Sequence, residues 1–254
     1  DLVRGTDEFR EMCEKTLDYV GWSFDDIMKA DAQEVEDVML KGVREMMADG
    51  DLQYFQPFID GCALTGVPGV KIYNGEFHDI PIMCGTVAGD SWMFSRKVRG
   101  QLEGNNEYFK GFALSPSIAW GRHNIEAGYP PIYSYYMDRK QPPKDMKYYT
   151  HGAPPFGADT PHAAELAYIF GTLDRIDDRF QPYDYELAET LRTYWTNFAK
   201  TGDPNCSGEE PTSDTAAQLP AWPKFAEGSE LTMHFGDSEV KAEDLVTNQD
   251  IERV

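Results

Sequence analysis

Two stretches carry ionisable side chains where they could do chemistry. Residues 156–171 read FGADTPHAAELAYIFG: a turn marked by Gly and Pro ends at His162, and an amphipathic segment follows at once. Pro161 presets the start of a helix and has no N–H to satisfy. His162 is therefore expected on a loop beside a helix N-terminus, a common placement for a general base. Upstream, residues 80–92 read IPIMCGTVAGDSW, an apolar run that leaves through a Gly-bearing loop carrying Asp90. An acid after one strand and a His after a later one give the order acid, then His, of a hydrolase triad. In such a pair the acid holds the imidazole in one tautomer, and the His takes a proton from a hydroxyl nucleophile. For either residue alone the alternative is a surface or structural side chain.

The elements that must position them alternate. Strands are predicted over 80–86, over 132–138 (IYSYYMD) and at 230–236 (ELTMHFG). Helices are predicted at both ends of the site region: one after His162 that stops at Gly171, and a longer one over 185–201 stopped by Gly202. A further helix is expected near 105–114. Residues 70–77 and 139–159 read as loops, and the acidic tail after Asp237 is expected to fray. Three helices lead the chain, with Thr6 and Ser23 as N-caps and a third helix over 32–47. The result is an α/β pattern with a parallel sheet. In such sheets ligands bind beyond the carboxyl ends of the strands, which places Asp90 and His162 at one edge.

Composition limits the function classes. The chain has 254 residues, 41% hydrophobic and 13% aromatic, enough for a sizeable core. Lys and Arg number 23 against 44 Asp and Glu, a net charge of −21, which argues against nucleic acid and anionic membrane surfaces as partners. No apolar run is long enough to span a membrane, so a soluble chain is expected, with its compartment left open. The four cysteines, Cys13, Cys62, Cys84 and Cys206, form no CxxC pair and no dense framework. Cys84 reads as a buried thiol and His234 as strand filler. No His, Cys and carboxylate spacing suggests a metal.

Six motifs in order carry a family resemblance: FQPFIDG (55–61), IPIMCGTVAGDSWMF (80–94), IYSYYMD (132–138), GADTPHAAELAYIFG (157–171), YWTNFAKTGDPN (194–205) and LPAWPKF (219–225). Together they resemble the C-terminal half of a type-B carboxylesterase, the α/β-hydrolase family of para-nitrobenzyl esterases, mammalian carboxylesterases and cholinesterases. The resemblance implies a partial α/β-hydrolase fold, with residues 1–50 a helical segment and 51–254 the later part of one catalytic domain. It implies hydrolysis of carboxylic esters through an acyl-serine intermediate without a cofactor. His162 matches the family's base and Asp90 its acid, while Met93 and Phe94 fall where acyl-pocket residues lie. The acid departs from the usual Glu-Gly, being Asp followed by Ser91. No G-x-S-x-G and no Gly-Gly-Gly loop occurs in these residues. The expected partners are thus a small-molecule ester and the N-terminal half of the same esterase, in the same or a separate chain. Without that half the chain is expected to be inactive. A rival reading takes Gly89-Asp90-Ser91 as the GDS of a GDSL-type esterase, with Ser91 as nucleophile, His162 as base and Asp159 as its partner. A third takes the chain as a non-catalytic, esterase-like binding domain, since some relatives of this family have lost catalysis.

Overall fold

The computed structural model of the protein describes residues 4–48, 57–90, 106–141, 160–175, 180–205 and 219–245. It divides into two compact units, Asp1–His78 and Asp79–Val254.

The first unit is helical. Helix α1 (Thr6–Val20) follows a two-residue strand, β1 (Arg4–Gly5), which pairs in parallel with β2 (Phe58–Ile59). The N-cap is Gly5 rather than the expected Thr6. The Glu8 carboxylate accepts the Gly5 N–H at 3.0 Å, and the Thr6 hydroxyl is drawn away to donate to the Ile59 carbonyl at 2.9 Å. Ser23 does cap α2 (Phe24–Lys29), exchanging hydrogen bonds with Asp26 in a capping box. Helix α3 (Ala32–Ala48) packs on α1 where Gly42 leaves room for Thr16 and Val20; a Cβ there would lie 2.9 Å from the Thr16 methyl. Of residues 70–77, expected as loop, the first four lie in α4 (Pro68–Tyr73), whose first residue is a proline suited to that place.

The second unit is built on a four-stranded sheet in the order β3 (Met83–Val87), β4 (Tyr133–Met137), β5 (Thr232–Phe235), β6 (Val240–Glu243). The first three strands are parallel. β6 pairs with β5 antiparallel, so the sheet is mixed and the segment expected to fray is an edge strand. The helix expected near 105–114 runs on to become α5 (Asn106–Ala127), which continues through Pro116. His123 lies in it. Helix α6 (Ala164–Ile169) follows His162, and α7 (Pro182–Thr201) ends at Gly202 in a left-handed conformation.

Alternation along the strands sorts the core into two layers. Met83 and Val87, Tyr133 and Met137, and Met233 and Phe235 face α6 and α7, where Tyr168, Leu187, Leu191 and Tyr194 meet them. Ile82, Cys84, Ile132 and Tyr136 face the opposite way, toward Ile118 of α5 and Phe225. The Cys84 thiol is half-buried, and burial pushes its pKa up to about 11, so it is a packing group and not a nucleophile at neutral pH. Gly85 is needed because β4 passes close by: a Cβ would fall 2.2 Å from the Tyr135 carbonyl oxygen.

Trp222 ties these parts together. It is 1% exposed, and its ring meets Tyr194 edge-on at 5.1 Å and Phe235 at 5.7 Å. Its indole N–H donates to the Ser134 carbonyl at 3.1 Å, and Asn205 clasps its backbone from both sides. Trp222→Ala removes the buried ring and its indole hydrogen bond, so we expect it to cost about 3–5 kcal/mol. The check is the urea unfolding midpoint, which should fall without a rise in the slope; an unchanged midpoint would show that the aromatic cluster is not the anchor of this core.

Candidate active site

The acid and the base are laced together by a continuation of β3. Beyond Val87, the Ala88 N–H donates to the Met137 carbonyl at 2.9 Å and the Gly89 N–H to the Thr160 carbonyl at 2.9 Å. Gly89 and Pro161 thus form a parallel bridge that sets the Asp90 loop beside the His162 loop. A Cβ on Gly89 would sit 2.4 Å from the Thr160 oxygen, so a side chain here would push the two loops apart. Thr160 is buried, and its hydroxyl donates to the Arg139 carbonyl at 2.8 Å, which fixes the approach to His162 to the end of β4.

Pro161 therefore serves the bridge and does not open the helix. After His162 the chain turns through Ala163, the one non-glycine residue with positive φ (62°) among those described, and α6 starts at Ala164. That left-handed alanine costs about 1–2 kcal/mol, a local strain of the kind found where a side chain must be aimed. The Gln141 side-chain amide donates to the Ala164 carbonyl at 3.2 Å and supports the turn from below.

His162 Nδ1 lies 2.6 Å from Asp90 Oδ1. The other carboxylate oxygen, Oδ2, accepts the Val87 N–H at 2.9 Å and the hydroxyl of Thr86. Both oxygens act as acceptors, so the Nδ1 that faces Asp90 is the protonated nitrogen and the Nε2 lone pair is left to act as a base. The imidazole is 49% exposed and Asp90 27%, so the ring reaches into open space while its anchor is held in the protein. Beside the ring a cavity of 370 Å³ is lined by Gln141, Pro161, Ala163, Leu166, Phe170 and Thr172. Leu166 and Phe170 give it an exposed apolar wall.

Residues 110–253, more than half of the chain, match the sequence model of the carboxylesterase family. This chain belongs to the carboxylesterase family. Among its relatives, mouse neuroligin-3 is 25% identical over 234 residues, covering 72% of this chain and 28% of the neuroligin. The para-nitrobenzyl esterase of Bacillus subtilis is 24% identical over 227 residues, covering 75% of this chain and 41% of that enzyme. The solved structure of a thermophilic PNB esterase superposes with a TM-score of 0.70 at 20% identity, covering 99% of this chain and 55% of that one. The fold is thus a partial α/β-hydrolase fold, and the chain spans about half or less of the length of the proteins it resembles.

Of the candidate site residues, Asp90 and His162 come together as described. Met93, Phe94, Ser91 and Asp159 lie outside the described residues. One neighbour went unforeseen. Glu165, in the first turn of α6, sits near Asp90, His162 and the Tyr135 hydroxyl. Burial raises its pKa first, and the Asp90 charge adds to that, while His162 opposes it. Its Oε2 is buried with no hydrogen-bond partner among the described residues. No sequence pattern marked it: Ala163 turns left-handed between His162 and α6, so helical spacing does not carry across from one to the other. Among the described residues no group of three or more His, Cys, Asp or Glu is placed to hold a metal ion, and no helix is long and apolar enough to cross a membrane.

Proposed function

We propose that the protein carrying this chain hydrolyses carboxylic esters through an acyl-serine intermediate, with His162 as the base and Asp90 as the acid that orients it. The observation that carries this reading is the 2.6 Å contact between His162 Nδ1 and an Asp90 whose second oxygen is already held by Thr86 and Val87. His162 Nε2 takes the proton of the attacking serine hydroxyl and later returns it to the leaving alcohol; Asp90 stabilises the imidazolium between the two steps. The serine and the oxyanion donors are supplied from outside these residues, since no G-x-S-x-G occurs among them, and this chain without them is inactive. Residues 51–254 complete one catalytic domain with that upstream half. Met93 and Phe94 belong to the acyl pocket, and the apolar wall of Leu166 and Phe170 suits an ester with an apolar group. In the GDSL-type alternative Asp159 would need the Nδ1 position that Asp90 occupies.

The test is steady-state hydrolysis of p-nitrophenyl esters by the whole protein and by this chain alone. Turnover by the whole protein and none by the chain supports the reading. No turnover of any chain length by the folded whole protein would favour the non-catalytic, esterase-like alternative.

Gly89→Ala probes the loop lacing in the same assay. The added methyl cannot be accommodated against the Thr160 carbonyl, which is backbone. A displacement near 1 Å at the Asp90–His162 contact should lower kcat about 100-fold. Wild-type turnover in Gly89→Ala would mean that the bridge does not set the site geometry.

A further inference from the structure

A second histidine is engaged by carboxylates on both of its nitrogens. His234 lies in β5, mostly buried, with 18% of its side chain exposed. Its Nδ1 is 2.5 Å from Glu243 Oε1 on β6, and its Nε2 is 2.7 Å from Asp138 Oδ1, one residue past β4. A neutral imidazole has one N–H and one lone pair. Only the imidazolium can donate to both carboxylates, whereas the neutral ring must turn a lone pair toward one of them. We infer that Asp138, His234 and Glu243 form a proton-dependent clasp, which fastens the edge strand β6 to the sheet while His234 is protonated and loosens when the proton is lost.

The surroundings favour the charge. Lys241 is the cross-strand partner of His234 and is shared by Glu239 at 2.7 Å and Glu243 at 3.4 Å. Asp138 and Glu243 meet the ring, and Glu239 and Glu243 meet Lys241, so removing the ring proton takes away one of the two cations set among these three carboxylates. From β4 the Tyr136 ring lies 5.7 Å away, and Ile118 of α5 and Phe225 on that face of the sheet are apolar. Asp237, past the end of β5, is taken up by Arg139 and Lys140. Burial works against the charged ring, but the hydrogen bonds and charges of Asp138 and Glu243 outweigh it, and the His234 pKa is raised above its ordinary 6.5. The sign follows: the clasp is fully formed below about pH 6.5 and is lost as pH rises through the raised folded-state value. β6 depends on it because the strand is four residues, VKAE, all of them only partly buried, on the edge of the sheet.

The test uses the whole protein. Hydrogen exchange is followed by mass spectrometry between pH 6 and pH 9.5, with each rate corrected for intrinsic exchange, and His234 is titrated by NMR of ¹³Cε1-labelled histidine. We expect the protection of residues 240–243 to fall by about tenfold or more across the His234 titration while β3 and β4 keep theirs. Glu243→Gln should bring the His234 titration back toward 6.5 and move the loss of protection to lower pH. His234→Gln should give low protection that does not vary with pH. Should that variant fail to fold, the wild-type and Glu243→Gln curves still decide. Protection of 240–243 that is flat with pH in the wild type, or a His234 that titrates at or below 6.5, would overturn the clasp.

Discussion

His162→Ala is expected to lower kcat of the whole protein by about six orders of magnitude, with part of the loss restored by added imidazole. The size follows from what no neighbour can replace. The Nε2 lone pair faces the open side of the site, and its tautomer is set by Asp90 on the other nitrogen. Glu165 cannot stand in, because its Oε2 is buried, and burial and Asp90 both favour its neutral form. Without a base the serine hydroxyl attacks with its own proton in place, and only binding and the oxyanion donors remain. The loss should fall on kcat, measured with p-nitrophenyl esters beside thermal melts that show an intact fold. A drop of less than about tenfold would remove His162 from the chemistry.

Asp90→Asn should cost about 10⁴ in kcat with little change in stability. The substitution is nearly isosteric, and the site chooses the orientation of the new amide. The Val87 N–H and the Thr86 hydroxyl both donate to the Oδ2 position, so the amide oxygen must stay there. The NH₂ group is then turned toward His162 Nδ1 and donates to it. That reverses the imidazole: Nδ1 becomes the acceptor, Nε2 carries the proton, and the base points the wrong group at its target. Asp90→Asn with near wild-type kcat would show that another acid orients the ring, as the GDSL-type alternative requires of Asp159.

The parts of the molecule that were legible in the sequence are those where local pattern and tertiary role agree. IYSYYMD and ELTMHFG are rich in β-formers and buried among neighbours on both sides, and both form strands. The loops bearing Asp90 and His162 are marked by Gly and Pro, and the structure brings the two side chains into contact. What was not legible depends on distant partners. VKAE has little that favours a strand; it becomes β6 because β5 offers an open edge and because Glu243 meets His234 across the sheet. Read alone, His234 looked like filler because its two carboxylates come from a strand end 96 residues earlier and from β6. Helix α5 contains Pro116 and shows no sustained apolar face, so periodicity underestimated its length. Pro161 was read as a helix starter, although Ala163 delays the helix and frees Pro161 to bridge to Gly89.

The central claim is that Asp90 and His162 activate a serine that lies elsewhere in the protein. The most direct measurement labels the intact protein with a fluorophosphonate and maps the modified residue by mass spectrometry, for the wild type and His162→Ala. The account predicts one labelled serine, within a G-x-S-x-G outside these 254 residues, with labelling lost in His162→Ala. A label on Ser91, or one that forms equally well without His162, would contradict it.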